Sequence, residues 1–447
     1  MNLTTIQIKI NKVFPKELIV LIKKMGIEGD SQGVRVFLVG GIVRDLLLGR
    51  KNYDLDIVVE GNATKFGKNL AEKIGGTLVS YKRFKTATLF IEWPKELRDI
   101  SVQNDKFKID IAAARKEIYK KPAGLPVVSF SSIRKDLCRR DFTINSMAVC
   151  INKDGFGSFI DHMGGEKDLK DGVIRVLHDK SFIDDPTRIL RAVRFEQRFG
   201  FSIEKRTKYL IKHAIRSGIF SKVGNQRVRE EIILMLKENF PEKALCRMRE
   251  LHELRFVHPK LTLQRTIKSN FISLRQCIKW YNSTVYGQGK PDVWVCNLMF
   301  FLDKLSLDEC NEVLEKFVFP KEIKKKICQY KIKGVGMLKG ISSGKKVKPS
   351  GVYRLFADSS VEAILCLMAK TRSRSAKIKI RKYLVEYRTV KLEVSGSDIV
   401  KSGLNPGPKY KEILRDILDK KIDGELCTKK DELRYLNKKM ACFGSGK

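Results

Sequence analysis

The sequence predicts an α+β protein in which a mixed sheet with helices precedes an all-helical remainder. From Val34 to Val149, short apolar runs rich in β-branched residues alternate with helix-like segments. After Val176 the strand signals fade, and helical periodicity continues through most of the chain. The length of 447 residues exceeds one ordinary core and indicates about three domain-sized units.

The elements can be predicted in chain order. A short amphipathic helix is expected around Lys16 to Lys24. The predicted strands are Val36–Val39, Leu55–Val59, Thr88–Ile91 and Lys108–Ile111. Helices are expected from Pro186, from Arg227 to Lys237 and from Tyr410 to Lys420. The stretch between Gln329 and Ser350 is rich in Gly, Lys and Ser and predicts a linker or exposed loop.

Composition limits the class of protein. The chain carries 89 Lys plus Arg against 51 Asp plus Glu, a formal charge of +38, which favours a polyanionic partner such as nucleic acid. Ten cysteines without a Cys-x-x-Cys pair predict reduced, mostly buried thiols. The sequence shows no signal-peptide pattern and no apolar run near the roughly 20 residues of a membrane span, so a cytoplasmic protein without a membrane partner is expected. The oligomeric state is left open.

The densest motif is FLVGGIVRDLLLGRKNYDLDIVV, Phe37 to Val59. Gly40 and Gly41 end a strand and open a helix, so that backbone N–H groups can approach a phosphate without a side chain in the way. Arg44 follows in the first turn, where its guanidinium can bind two phosphate oxygens. This motif predicts a triphosphate site.

Asp54 and Asp56 are two residues apart on a predicted strand, so their carboxylates share one face with Cα atoms about 7 Å apart. Two like charges before a buried run are costly without a cation, and oxygen ligands suit Mg²⁺. We therefore expect Asp54 and Asp56 to be metal ligands and catalytic residues. Asp110, on another apolar strand, is either a third carboxylate, a proton acceptor or a solvent-facing strand residue.

Two further motifs carry arginines. In RRDFTINSMAV, Arg140 and Asp141 are expected at the nucleotide, although an Arg-Arg pair alone is often surface charge. In DDPTRILRAVRF, Asp185 before Pro186 is typical of a helix cap. The three arginines that follow at intervals of three residues form a cationic stripe that fits a nucleotide: Arg188, Arg191 and Arg194.

Asp185 and Arg188 also suggest how a base could be selected. Cytosine and adenine both present an amino donor beside a ring-nitrogen acceptor, whereas uracil and guanine have an oxygen acceptor in that place. Asp185 could accept and Arg188 donate, so one protein pair would select C and A and reject U and G without a template.

With these motifs, LVGGIVRD with DLD, RRDFTINSMA and DDPTRILRAVRF, the chain resembles the class II CCA-adding tRNA nucleotidyltransferases and the bacterial poly(A) polymerases that share their core. The resemblance is dense from Val34 to Lys237. It implies a polymerase-beta-like head over 1–150, a base-recognising neck over 151–250, a helical body over 251–390 and a tRNA-binding tail over 391–447. Asp184 stands where the family usually has Glu.

The resemblance implies an enzyme that adds C, C and A to the 3′ end of tRNA from CTP and ATP with two Mg²⁺ ions. In this role Gly41 and Arg44 bind the nucleotide, Arg140 holds phosphate, and Arg191 and Arg194 complete the pocket.

Three alternatives remain. A poly(A) polymerase uses the same core, and only the tail resemblance, SGSDIV and GLNPGPKYKEIL, argues against it. An enzyme that adds only A stays open, whereas the segment Glu117 to Ser132 resembles a flexible loop that CC-only relatives are expected to lack. A catalytically inactive RNA-binding relative would have no use for Asp54 and Asp56.

Overall fold

The computed structural model describes residues 3–81, 84–92, 106–251, 254–342, 347–402, 407 and 409–444. The chain divides into two compact units, Met1–Glu231 and Ile232–Lys447. Of the predicted tail turn Gly403 to Pro408, only Gly407 lies within the described residues.

The first unit combines a sheet with helices, as predicted. Its strands are β1 Val36–Val39, β2 Leu55–Val59, β3 Thr77–Tyr81, β4 Thr86–Glu92, β5 Lys106–Ala113, β6 Arg115–Ile118, β7 Val127–Phe130, β8 Ala148–Cys150, β9 Phe159–Ile160, β10 Val173–Ile174 and β11 Ser202–Ile203. Its helices are α1 Leu3–Val13, α2 Lys16–Ser31, α3 Gly41–Leu47, α4 Ala63–Ile74, α5 Ile133–Cys138, α6 Gly165–Asp171, α7 Ser181–Asp184, α8 Thr187–Phe199 and α9 Lys205–Arg216. Helix α10, Asn225–Leu236, contains the boundary between the units.

Among the described strands, seven form one mixed sheet in the order β3-β4-β5-β2-β1-β8-β9. The pair β2 and β5 is parallel, whereas the other neighbours are antiparallel. The parallel register places Asp56 directly beside Asp110. All four predicted strands are confirmed, and β9 extends the sheet to Ile160, beyond the expected head boundary at residue 150.

The N-terminal helices pack on this sheet. The predicted helix around Lys16 is confirmed as α2, and α1 before it has no counterpart in the prediction. Ile6 and Ile10 of α1 and Leu18 and Ile22 of α2 are almost fully buried in the core that contains the β1 residue Leu38. Their spacing of four residues places each pair on one helix face.

The second unit is helical throughout its described residues. Its helices are α11 Pro241–Glu250, α12 Ile267–Thr284, α13 Val293–Phe301, α14 Leu307–Lys316, α15 Lys321–Ser342, α16 Pro349–Phe356, α17 Val361–Lys370, α18 Arg374–Val385, α19 Gly396–Lys401, α20 Lys409–Ile422 and α21 Lys429–Gly444. The helix predicted from Tyr410 to Lys420 is confirmed within α20. Val394, Ile399, Ile413 and Leu436 belong to a small apolar core at this end of the chain.

The linker predicted between Gln329 and Ser350 is wrong over most of its length. Helix α15 continues to Ser342, and α16 begins at Pro349; residues 343–346 lie outside the described part. Tyr330, Gly334, Met337 and Ile341 are buried at helical spacing. Glycine occupies one of these core positions, since a Cβ at Gly334 would lie 3.2 Å from Leu367 Cδ2. A search for apolar side chains at helical spacing therefore does not detect this buried face of α15.

Two expectations from composition can be compared with the structure. The nine cysteines that the structure describes are unpaired, and six of them are buried, as predicted for reduced thiols. Within the described helices, none combines the length and apolar character that crossing a membrane requires.

Candidate active site

The glycine turn between β1 and α3 forms one edge of a cleft in the first unit. Gly40 has φ 73° and ψ −129°, a backbone conformation that only glycine adopts readily. A Cβ at this position would lie 3.0 Å from Arg140 Nη1 and 3.9 Å from Asp56 Oδ2. Glycine thus provides both the turn and the space between a guanidinium and a carboxylate.

Acidic side chains cluster beside this turn. Asp54 is exposed and lies one residue before β2, not within it as predicted, while Asp56 is half-buried in β2. Burial, and then the negative charge of Asp54, raises the pKa of Asp56 to about 7, although Arg140 acts in the opposite direction. Asp110 also raises this pKa. Asp54 and Asp110 therefore both lie within electrostatic range of Asp56.

The carboxylates beside the glycine turn could supply a small number of protein ligands to Mg²⁺. Within the described residues, no three or more His, Cys, Asp or Glu side chains are grouped as metal ligands. Asp110 accepts hydrogen bonds from Thr88 Oγ1 at 2.8 Å and from Lys108 Nζ at 2.5 Å. Mg²⁺ commonly takes one or two protein carboxylates and completes its shell with water and substrate phosphates. Asp54 and Asp56 are sufficient for that arrangement.

Arg140 faces the glycine turn. Its Nη2 donates to Asp136 Oδ2 at 3.0 Å, and Asp136 is fully buried. Arg140 Nε is buried without a hydrogen-bond partner among the described residues. A buried N–H without an acceptor is costly, whereas Arg140 Nη1 lies beside Gly40 at the edge of the cleft. Arg139, beside it, donates to Asp136 and to Glu117.

Arg44 is bound within the protein. Its Nε and Nη2 donate to Asp45 at 3.0 and 2.9 Å, and its Nη1 donates to Asn145 at 2.6 Å. The residue is only 4 % exposed. Asp45 of the same helix therefore takes two of the hydrogen bonds of the guanidinium that the sequence assigned to phosphate, and the third ties α3 to the segment that contains Asn145.

The motif residue Asp141 forms a buried ion pair with helix α8. Its Oδ2 accepts from Arg191 Nε at 2.9 Å and from Arg191 Nη2 at 2.6 Å. Although burial acts in the opposite direction, Arg191 and Asn145 lower the pKa of Asp141 to about 2. Arg191 Nη1 and Arg194 Nη2 both bond Glu231, at 3.1 and 3.3 Å. The predicted arginine stripe lies on one helix, and carboxylates neutralise part of it.

Asp185 and Arg188 lie together at the start of α8. The N-cap of α8 is Pro186 and not the predicted Asp185, although Asp185 Oδ1 accepts from the Thr187 backbone N–H at 3.1 Å and also pairs with Arg227 at 2.8 Å. Arg188 donates to Ser181 Oγ at 2.7 Å and to the Arg139 carbonyl at 2.8 Å. Within the described residues, these contacts of Asp185 involve Oδ1 and not Oδ2.

These elements enclose a cleft of about 880 Å³ in the first unit. Its lining contains eleven of the twelve residues proposed from sequence: Gly40, Gly41, Arg44, Asp54, Asp56, Asp110, Arg140, Asp141, Asp185, Arg188 and Arg191. The twelfth, Arg194, is not among the described lining residues; it is buried, with its guanidinium 4.8 Å from the Phe195 ring centroid.

Sequence reasoning missed several cleft residues. They include Asn52, Arg115, Glu117, Tyr119, Arg139, Asn145, Arg198 and Arg227. Arg139 and Asn145 lie inside a motif already singled out, so their neighbourhood was a usable signal. Arg227 meets Asp185 only through the fold, because 42 residues separate them and no pattern connects the two positions.

The sheet, the glycine turn and the paired aspartates define a protein with a nucleotidyltransferase-type head. The family model described as "Poly A polymerase head domain" matches residues 36–175, and the one described as "Probable RNA and SrmB- binding site of polymerase A" matches residues 200–264. Among solved structures, "The structure of CCA-adding enzyme apo form II" is 35% identical with a TM-score of 0.77, covering 96% of this chain and 98% of that one. The Thermotoga maritima CCA-adding enzyme complexed with tRNA is 34% identical with a TM-score of 0.72, covering 96% and 97%.

This chain belongs to the family of class II tRNA nucleotidyltransferases and bacterial poly(A) polymerases. Among curated relatives, the A-adding tRNA nucleotidyltransferase of Geobacter sulfurreducens is 35% identical over 95% of this chain, and that of Aquifex aeolicus is 34% identical over 87%. The chain covers only 47% and 45% of these two proteins, about half of their length. The A-adding enzyme of Halalkalibacterium halodurans is 28% identical, with coverage of 95% of this chain and 93% of that protein.

Proposed function

We propose that the protein adds nucleotides from CTP and ATP to the 3′ end of tRNA, with the complete CCA sequence as its product. The observation that carries this proposal is the position of Asp54 and Asp56 across the Gly40 turn from Arg140. In this arrangement, carboxylate ligands for divalent cations lie beside a guanidinium that can bind a triphosphate. Similarity to CCA-adding enzymes solved with ATP and with CTP supports both substrates.

The chemistry follows from the side chains around the cleft. Asp54 and Asp56 would hold two Mg²⁺ ions, which, when bound, activate the attacking hydroxyl and stabilise the leaving phosphate oxygens. Arg140, whose Nη1 lies beside Gly40, would bind the triphosphate there. The RNA 3′ oxygen then bonds to the α-phosphorus, and pyrophosphate leaves. Asp110, in register with Asp56, would accept the hydroxyl proton.

Base selection is assigned to Asp185 and Arg188. Arg227 holds one oxygen of Asp185, while Ser181 and the Arg139 carbonyl fix the Arg188 guanidinium. Both groups are therefore positioned before a nucleotide enters. Asp185 Oδ2 can accept from the amino group of C or A, and Arg188 retains N–H groups to donate to the ring nitrogen.

The RNA would be held by the rest of the chain. The proposed domains are a head over 1–150, a neck over 151–250, a body over 251–390 and a tail over 391–447. The net charge of +38 suits contacts with phosphates rather than with bases, so RNA affinity should fall as salt rises. The relative solved with tRNA makes tRNA the expected partner.

A second candidate is an enzyme that adds only the terminal A. The observation that favours it is that three curated relatives are named A-adding tRNA nucleotidyltransferases, at 28 to 35% identity. Both candidates share the same cleft chemistry and differ in whether CTP is accepted.

One experiment separates the candidates. Purified protein and Mg²⁺ are incubated with tRNAs that lack the last one, two or three nucleotides, each with CTP, ATP or both. Extension of every tRNA to full CCA supports the proposal. Addition only to the tRNA that lacks the final A establishes the second candidate. Long A tails on unstructured RNA would indicate a poly(A) polymerase instead.

Variants test the assigned residues. Asp54→Asn and Asp56→Asn should abolish nucleotide addition while tRNA binding persists, and Asp171→Asn, an exposed carboxylate on α6, is the matched control. The Arg188→Ala variant should accept UTP as a substrate. Its triphosphate binding, measured as KM, should be weakened less than its selection of the base. Activity retained in Asp56→Asn would refute the metal assignment, and continued exclusion of UTP by Arg188→Ala would refute the base-reading role.

A further inference from the structure

Helix α9 of the first unit has two contrasting sides. Its sequence, KRTKYLIKHAIR, contains five Lys or Arg residues and no Asp or Glu. The residues Thr207, Ile211 and Ala214 are buried on one side. With about 3.6 residues per turn, the opposite side is formed by residues that recur once per turn. We call this side the outer face of α9; its members are all exposed and all basic or aromatic: Lys205, Tyr209, Lys212, His213 and Arg216.

Two members of the outer face form an aromatic pair at the surface. Tyr209 and His213 are one helical turn apart, with ring centroids separated by 6.4 Å and ring planes at 29° to each other. Tyr209 is 66 % exposed, so most of its ring is open to solvent. An aromatic ring that is open on the surface can stack with a nucleobase, because every base has a π-face.

The cations of the outer face are not neutralised by the protein. Within the described residues, no carboxylate pairs with Lys205, Lys212 or Arg216. Glu204, the acidic residue directly before the helix, caps it instead, since its carboxylate accepts a hydrogen bond from the Thr207 backbone N–H at 2.7 Å. The outer face therefore combines three uncompensated positive charges with an open aromatic ring.

We propose that the outer face of α9 binds the acceptor RNA, with an unpaired base stacked on Tyr209 and the adjacent phosphates at Lys212 and Arg216. The inference rests on the proposed function, which makes an RNA the substrate. RNA matches both features of the face, because each nucleotide supplies a phosphate and a ring. An acidic protein segment would match the charges alone. Among the described residues that line the cleft, none belongs to α9, so this contact is separate from the nucleotide site.

The test measures RNA binding separately from catalysis. Fluorescence anisotropy with a labelled tRNA that lacks its final A, in the absence of nucleotide, gives Kd as a function of salt. In the double variant Lys212→Ala/Arg216→Ala, the slope of log K against log salt should decrease in magnitude by about 1.4, the value for two lost single-strand phosphate contacts. The KM for ATP should change less than about twofold, because α9 does not line the cleft.

The aromatic ring is tested by its own pair of variants. Tyr209→Ala should weaken tRNA binding roughly tenfold at every salt concentration, because it removes a stacking contact and no charge. Tyr209→Phe keeps the ring and should bind tRNA within about twofold of the unmodified protein. Alanine is the best helix former, and the replaced side chain is exposed, so α9 should remain folded in both cases.

Lys65→Ala/Lys68→Ala is the matched control for the charges. Both lysines are exposed on helix α4, and within the described residues no carboxylate pairs with either of them. The control removes the same charge from the same unit of the protein. Its tRNA Kd and salt slope should stay close to those of the unmodified protein.

Three results would overturn the proposal. The first is an unchanged salt slope in Lys212→Ala/Arg216→Ala, and the second is an equal change in the Lys65→Ala/Lys68→Ala control, which would indicate a general effect of charge. The third is an unchanged Kd in Tyr209→Ala, which would leave a basic surface without a stacked base. Nucleotide addition by the unmodified protein tests the proposed function by itself, so either proposal can fail while the other stands.

Discussion

The substitution Asp141→Asn removes the charge from the carboxylate that joins the RRDF motif to α8. Arg191 donates two hydrogen bonds to Asp141, which is only 8 % exposed. A pKa lowered from 3.8 to about 2 corresponds to about 2 kcal/mol of folding free energy at neutral pH. Asparagine can keep the hydrogen bond from the Phe142 N–H but cannot neutralise Arg191. We therefore expect the variant to lose about 2 kcal/mol of folding free energy. This is below the roughly 3–5 kcal/mol that is lost when one partner of a buried ion pair is left wholly uncompensated.

The pH dependence of this loss has a definite sign. The pKa of Asp141 is lower in the folded state, so its contribution is complete above the unfolded value near 4 and disappears as the pH falls through about 2. The difference between the unmodified protein and Asp141→Asn should be equal at pH 7 and pH 5 and about half as large at pH 3.

Hydrogen exchange of peptides from α8 measures this local free energy in the first unit alone. Asp179→Asn is the control, because Asp179 pairs with Arg206 at an exposed site where ion pairs contribute little. Equal protection of α8 in Asp141→Asn and the unmodified protein at pH 7 would refute the reasoning. So would a difference that grows as the pH falls.

Three glycines give further predictions. Gly40→Ala should raise the KM for nucleotide at least about tenfold, because its φ is 73° and its new Cβ would lie 3.0 Å from Arg140; an unchanged KM would contradict the turn's role. Gly334→Leu should lower the melting temperature of the second unit, since even a Cβ there lies 3.2 Å from Leu367, and an unaltered melting temperature would argue against close packing of α15 on α17. Gly336→Ala, with no atom within 4 Å of its Cβ, should instead stabilise α15 by about 0.5–1 kcal/mol in urea unfolding.

The sequence predicted the elements whose local signals agree with their environment. Strands β1 and β2 are apolar runs buried in the sheet, and the spacing of their side chains is visible in the sequence. The stretch from Gln329 was misassigned because Gly334 replaces a side chain where α17 approaches closely. Close packing removed the signal on which the prediction depended.

The candidate site divides in a similar way. Gly40, Asp54, Asp56 and Arg140 belong to short motifs, because a turn and a strand bring their members together over a few residues. Arg194 was included because of its spacing, yet it bonds Glu231 and does not line the cleft in the described structure. Helical spacing predicts which residues share a face of α8, but it does not predict which residues pack against that face.

By itself the sequence determined the chemistry: a glycine turn, acidic residues on a strand and arginines that follow on a helix, in a strongly basic chain. Only the tertiary structure decided which charges neutralise one another. It directs Arg44 to Asp45, Arg191 to Asp141 and Arg227 to Asp185, and it pairs Arg140 with Asp136 at the lining of the cleft. The physical reason is that an ion pair depends on distance in space and on burial, and neither quantity is encoded in the separation of two residues along the chain.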